Sequence, residues 1–306
     1  MSLREAELPV AVRETVRAQP TAAESPFAQG VRRLRRSATA VVGLAIVVAL
    51  LVVAIFADVL APRDPIVNDQ SRTFQPPSWE HPLGTDQLGR DMLSRVIHGT
   101  RISLLVGVSS VLLALLVGVP FGMVAGFYGG RTDTYIMRIM DLILAFPIYL
   151  LAIILMVMFT PTAGLVGTMK VTGAIAIVRI PIYARLVRGS VLSIKEKEYV
   201  EACRALGQRD PWILFRHVLP NCLAPIIVTT TLGIATAIIV EATLSFLGLG
   251  TQPPTPSWGW DLKANIAFIQ SNMWLSIFPG LAIFVTVLGF NLFGDGLRDA
   301  LDPRLK

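Results

Sequence analysis

Two ionisable side chains interrupt runs that are otherwise largely apolar: Arg179, in AIVRIPIYARLVRG, and Glu241, in VEATLSFLGLG. A guanidinium in the middle of a membrane span is expensive and normally faces protein or a water-filled cavity. Pro181, two residues on, opens the helix locally. Arg179 is therefore a candidate for lining a translocation path and drawing in a substrate carboxylate. The competing reading is a shorter span, from which Arg179 snorkels or pairs with a neighbouring acid. Glu241 falls near the outer end of its run, at the mouth of such a path or simply at the interface. No other group offers reaction chemistry. The chain has no GxxxxGK[ST] phosphate cradle, no nucleophile–base pattern and no metal-ligand spacing. Its three histidines are scattered, and Cys203 and Cys222 both fall on the side expected to be reducing, where a disulfide is disfavoured.

The elements that position these groups follow from composition. Of 306 residues, 53% are hydrophobic and 16% charged, with mean hydropathy +0.62; soluble domains carry about 25% charge. Runs near the length needed for a span occur at 39–60, 102–127, 142–169, 171–189, 222–240 and 264–294. Pro147 and Pro161 limit the helix in the third, and the fourth is the weakest. The expected fold is all-α integral membrane, with six transmembrane helices and a polar loop between the fourth and fifth. Nineteen of the 27 Lys and Arg fall on the side of the N-terminus, seven on the other, and Arg179 within a span. The positive-inside rule then places both termini and the polar loop in the cytoplasm. That distribution follows topology, not a groove-tracking patch, so the net charge of +6 does not imply a nucleic-acid partner. Residues 1–36 form a cytoplasmic arm, expected to be disordered up to about residue 30 and anchored by Arg32, Arg33, Arg35 and Arg36 at the anionic lipid face. Residues 37–306 form the membrane domain, with an external loop at about 61–100 and the inner loop at about 195–221.

The inner loop is EYVEACRALGQRDPWILFRHVLP, Glu198–Pro220. Tyr199, Ala202, Cys203 and Leu206 recur at helical spacing. Gly207 sits where a left-handed cap belongs. Asp210 and Pro211 read as the N-cap and first residue of a second helix carrying Trp212, Leu214, Phe215 and Val218, which Pro220 is expected to stop. By physics alone this is either a docking knob or a solvated amphipathic loop.

The same residues resemble the EAA loop of ABC-importer permeases: Glu-Ala-Ala, three residues, Gly, nine residues, Ile, any residue, Leu-Pro. Glu201, Ala202, Gly207, Leu219 and Pro220 fall in register; Cys203 replaces the second alanine and His217 stands at the isoleucine position. Further along the chain, GTDQLGRDMLSR (Gly84–Arg95), LSFLGLG with QPPTPSWG (Leu244–Gly259) and GDGLRDALDPR (Gly294–Arg304) are similar to signatures of the dipeptide, oligopeptide and nickel permease subfamily. The likeness runs from about Arg32 to Lys306. It implies a type I importer permease in a bacterial inner membrane. Its partners would be a homologous second permease, two ABC ATPases that bind ATP and Mg²⁺, and an extracytoplasmic substrate-binding protein. The chain itself would hold no cofactor and catalyse no reaction. Dipeptides and oligopeptides are the implied cargo, with nickel chelates, glutathione or haem as alternatives. A stand-alone secondary transporter would need inverted repeats or coupling acids, and only Glu241 offers one. From residues alone, Gly84–Arg95 is a glycine-turned external segment leading into a helix with Asp91 near its start; the resemblance implies that it either braces the permease pair or meets the binding protein. Trp258 is an aromatic suited to the headgroup level. Asp133, Arg138 and Asp141 suit an inner-interface ion-pair set, and Gly294–Gly296 would end the last span.

Overall fold

The computed structural model describes Arg32, Leu34, Arg35 and residues 37–159 and 162–301. The disordered stretch expected at the N-terminus, Pro161 and the Asp302–Arg304 end of the last signature lie outside the described residues. Helix α1 spans Ala38–Ile55, capped by Ser37, with a short α2 at Ala57–Leu60. Helix α3, Met92–Tyr128, spans 37 residues, or roughly 55 Å. Asp91 caps it, accepting from the Ser94 amide at 2.8 Å. The Asp91 carboxylate is in turn hydrogen-bonded to buried His81 at 2.9 Å. Helices α4 (Gly130–Leu144) and α5 (Ile148–Phe159) follow, then α6 (Gly164–Lys195), which packs parallel to α3.

That packing is written in glycine. Gly118, Gly122 and Gly126 repeat every four residues along one face of α3, and each lies directly on α6 backbone or Cβ atoms. A Cβ at Gly118 would meet the Ile180 carbonyl at 2.7 Å. Small residues at this spacing let two spans approach to backbone contact, where dispersion replaces the hydrophobic effect that lipid does not supply.

Five helices are long and apolar enough to cross a membrane, and the bent pair α4–α5 makes a sixth crossing if counted together. The expected third and fourth spans are redrawn. The third (142–169) breaks at residues 145–147 with a bend of 86°, because Pro147 has no amide to continue the ladder and disfavours helix at the residue before it. The fourth begins at Gly164, not 171; Lys170 lies inside it, with its ammonium donating to the Phe159 carbonyl at 2.8 Å at the end of α5. The last span is shifted as well. Residues 258–265 form a separate helix, α10, and α11 runs from Trp274 to Leu301. Gly294 and Gly296 do not end it. Their missing side chains admit Leu232 of the fifth crossing and Ala40 of α1.

The external segment folds on itself through its own signature. Asp86 accepts from Arg90 Nε at 2.7 Å and from the Leu88 and Arg90 amides. Gly84 and Gly89 take φ of +76° and +72°, and a Cβ at Gly89 would overlap the Asp69 carbonyl. Arg95 reaches Asp261 of α10 through Nε at 2.8 Å and the Pro65 carbonyl through Nη1 at 3.0 Å, with both charged side chains buried. Trp258 is also buried. It packs on Gly99 and donates to the Val96 carbonyl at 2.9 Å, so it is a core residue of the outer end and not a headgroup anchor.

Candidate functional site

The inner loop is built as two short helices and a widened turn. Helix α7, Glu198–Ala205, ends in a Schellman motif: the Gly207 amide donates to Arg204 O at 2.9 Å and the Gln208 amide to Cys203 O at 3.1 Å. Gly207 takes φ +74°, a conformation that costs other residues roughly 1–2 kcal/mol. Helix α8 starts at Asp210 with Pro211 in its first turn, so the N-cap is Arg209, one residue earlier than expected. Pro220 does not stop this helix. A π-turn over Leu214–Val218, closed by the Leu219 amide on Leu214 O, widens the ladder just where the proline lacks a donor. The chain then continues without a break into α9, Leu219–Phe246. Loop and fifth crossing are one rod.

The loop's apolar residues divide into two sets. Val200, Ile213, Leu214 and Val218 are buried in a cluster with Met123, Phe127, Val187, Val191 and Ile194 at the inner ends of α3 and α6. The Arg204 guanidinium lies 4.8 Å from the Phe127 ring centroid and adds a cation–π contact to the clamp. The other set faces away: Leu206 is 81% exposed, Phe215 67%, Trp212 59% and Tyr199 41%. Of the motif residues, Glu201, Ala202, Gly207 and Pro220 are exposed, while Cys203, His217 and Leu219 are half-buried. His217 Nε2 is enclosed without a hydrogen-bond partner. The structure therefore brings the whole motif to one protrusion, anchored on one side and bare on the other. Val200, the inward anchor of α7, was missed by the face drawn through Tyr199, Ala202, Cys203 and Leu206; its apolar β-branched side chain was the available signal.

Arg179 and Glu241 do not meet. Arg179, in α6, is 7% exposed, and its Nη2 donates to the Gly233 carbonyl at 2.6 Å and to Thr236 Oγ1, both on α9. A Cβ at Gly233 would lie 2.5 Å from the Tyr183 hydroxyl and 3.2 Å from that nitrogen. Among the described residues Arg179 makes no ion pair, and its Nε is buried without a partner. Glu241 stands two turns farther out on α9, fully buried. Its Oε1 accepts from Ser245 at 2.8 Å and Ser257 at 3.0 Å, and its Oε2 from Ser103 at 3.4 Å. The Ser245 hydroxyl also takes the Thr251 amide at 3.1 Å, so the carboxyl organises the external turn. Asp133 and Asp141 pair across to α6, with Arg188 (2.5 Å) and Arg185 respectively.

Five helices long and apolar enough to cross a bilayer, with a sixth crossing from the bent pair, make this a multi-pass membrane protein. Residues 118–306 match the family described as binding-protein-dependent transport system inner membrane component, and residues 25–77 match the N-terminal TM domain of oligopeptide transport permease C. The chain belongs to the binding-protein-dependent transport permease family and is a permease subunit of an ABC importer. It is 46% identical over 284 residues to the dipeptide transport system permease protein of Alkalihalophilus pseudofirmus, covering 93% of this chain and 92% of the relative. It is 47% identical over 272 residues to the di/tripeptide transport system permease protein of Pseudomonas aeruginosa, covering 86% and 88%. A glutathione transport system permease protein from Pectobacterium atrosepticum is 45% identical over 283 residues, covering 92% of each chain. Among solved structures, a chain of the inward-facing MetNI methionine ABC transporter superposes with TM-score 0.56 at 19% identity, covering 69% of this chain and 98% of that one. At that identity the likeness speaks for the fold.

Proposed function

We propose that this permease moves short peptides into the cytoplasm by alternating access, driven by partner ATPases that grip the Glu198–Pro220 protrusion. The observation that carries the coupling role is the outward set Tyr199, Leu206, Trp212 and Phe215, held rigid by an inward set and continuous with the α9 rod. Helical backbone runs unbroken from Asp210 to Phe246, so a force applied at the protrusion is transmitted to α9. Glu201, Ala202, Cys203, Gly207, His217, Leu219 and Pro220 form the contact region. The assembly comprises a homologous second permease, two ATPases that bind ATP and Mg²⁺, and an extracytoplasmic binding protein, in a bacterial inner membrane with both termini inside. ATP closure and release bias two conformations of similar free energy. Arg179 and Glu241 contribute to the translocation path and its outer mouth, respectively. The names of the dipeptide and di/tripeptide relatives support peptide cargo. The glutathione relative supports a second reading in which the cargo is that γ-linked tripeptide.

The test is a Gly207→Trp variant in the reconstituted complex, with ATP hydrolysis and dipeptide uptake measured together. The expected result is hydrolysis without uptake. Full coupling in the variant contradicts the docking role, and uptake of glutathione in preference to dipeptides assigns the cargo to the second reading.

A further inference from the structure

Helix α4 does not run along its neighbours. Asp133 and Asp141 are eight residues apart on α4, or about 12 Å. They pair with Arg188 and Arg185, only three residues apart on α6, or about 4.5 Å. Both pairs tie α4 to one short stretch of α6, and α5 leaves α4 at 86°. Gly130, at its start, follows directly on the inner end of α3, so α4 lies at the inner edge of the apolar core. Both acids are turned toward α6 and neutralised there. On the helical wheel the opposite side carries Leu142, Tyr135 and Ile139 in one sector, exposed by 66%, 70% and 58%. Arg131 and Arg138, seven residues apart, stand one above the other at the border of that sector. Both are exposed, and among the described residues neither makes an ion pair.

An apolar sector edged by arginines and a tyrosine, on a helix perpendicular to its successor, has the chemistry of a helix in the membrane plane. Its apolar side enters the acyl boundary while the guanidinium groups reach phosphate. We propose that α4 lies in the inner leaflet and that Arg131, Tyr135 and Arg138 form a binding site for anionic phospholipid headgroups. Charge complementarity selects this occupant. The inner leaflet is anionic, whereas a protein interface would have to cover two guanidinium groups with acids. The site sits beside the Asp133–Arg188 and Asp141–Arg185 pairs that tie α4 to α6, so a bound lipid steadies the crossing that carries Arg179.

Two measurements on the reconstituted complex, in vesicles of phosphatidylcholine with and without phosphatidylglycerol, test this. Nitroxides at Tyr135 and Leu142 report depth. An in-plane helix gives equal depths with both labels reached by oxygen, while a helix climbing through the bilayer separates them by about 10 Å. The Arg131→Gln/Arg138→Gln variant reports the ligand. Retention of phosphatidylglycerol over phosphatidylcholine by the purified complex is expected to fall about tenfold. Unequal depths, labels shielded from oxygen by the second permease, or an unchanged phosphatidylglycerol preference in the double variant each overturn the proposal.

Discussion

The Arg95–Asp261 pair is the strongest test of how the external segment is held. Both side chains are almost wholly buried, 1% and 0% exposed, and they join positions 166 residues apart. Burial pushes the Asp261 carboxyl up, and the Arg95 guanidinium opposes that shift. Removing one partner leaves the other charged and unpaired in a dry site, which costs about 3–5 kcal/mol. Removing both leaves no charge to compensate. Asp261 Oδ2 already lacks a hydrogen-bond partner, so the native pair is incompletely satisfied and an apolar replacement forfeits little. Arg95→Met and Asp261→Leu are each expected to lower the melting temperature of the detergent-solubilised complex by about 10 °C. The double variant Arg95→Met/Asp261→Leu is expected to recover more than half of that loss. The assay is thermal unfolding followed by intrinsic fluorescence, with a double-mutant cycle to extract the coupling. If the double variant melts as low as the sum of the singles, the two charges are not coupled and the reasoning fails. Wild-type melting of Arg95→Met would refute the burial argument itself.

Other consequences are as direct. Gly122→Leu places a side chain against the Ala184 carbonyl at the α3–α6 contact, and overpacking of this kind costs about 1–3 kcal/mol or more; the expected outcome is loss of assembled permease from the membrane, read by quantitative blotting. Arg179→Ala, correctly assembled, is expected to reduce uptake at limiting substrate, since it removes the buried guanidinium between α6 and α9; unchanged uptake removes Arg179 from the path. Glu241→Gln keeps the shape but weakens the acceptor for Ser245 and Ser257. It is expected to loosen the 247–257 turn, read as faster proteolysis there, and normal transport by that variant assigns the residue to structure alone.

Membrane class and the glycine cap at 207 were legible because each rests on local pattern: apolar run length and a helix-ending residue. Proline was the main source of error. Pro220 and Pro225 sit inside a continuous rod because a π-turn precedes the first, while Pro147 does break its helix; the sequence of each looks alike. Gly294 and Gly296 read as a stop because their role, close approach to Leu232 and Ala40, depends on neighbours far along the chain. The partners of Glu241 and Arg95 were hidden for the same reason, lying up to 138 and 166 residues away. Asp133 and Asp141 were recognised as ionic, but their partners proved to be on α6. Trp258 looked like a headgroup aromatic until Gly99 was found making room for it.

The most direct measurement is cysteine crosslinking from the bare side of the inner protrusion. Leu206→Cys and Phe215→Cys, in a background without Cys203 and Cys222, are expected to crosslink to the partner ATPase in the assembled complex and to be shielded there from a membrane-impermeant thiol reagent. Labelling of either position from the external face, or full reagent access in the assembled complex with no ATPase adduct, would contradict the coupling of this permease through Glu198–Pro220.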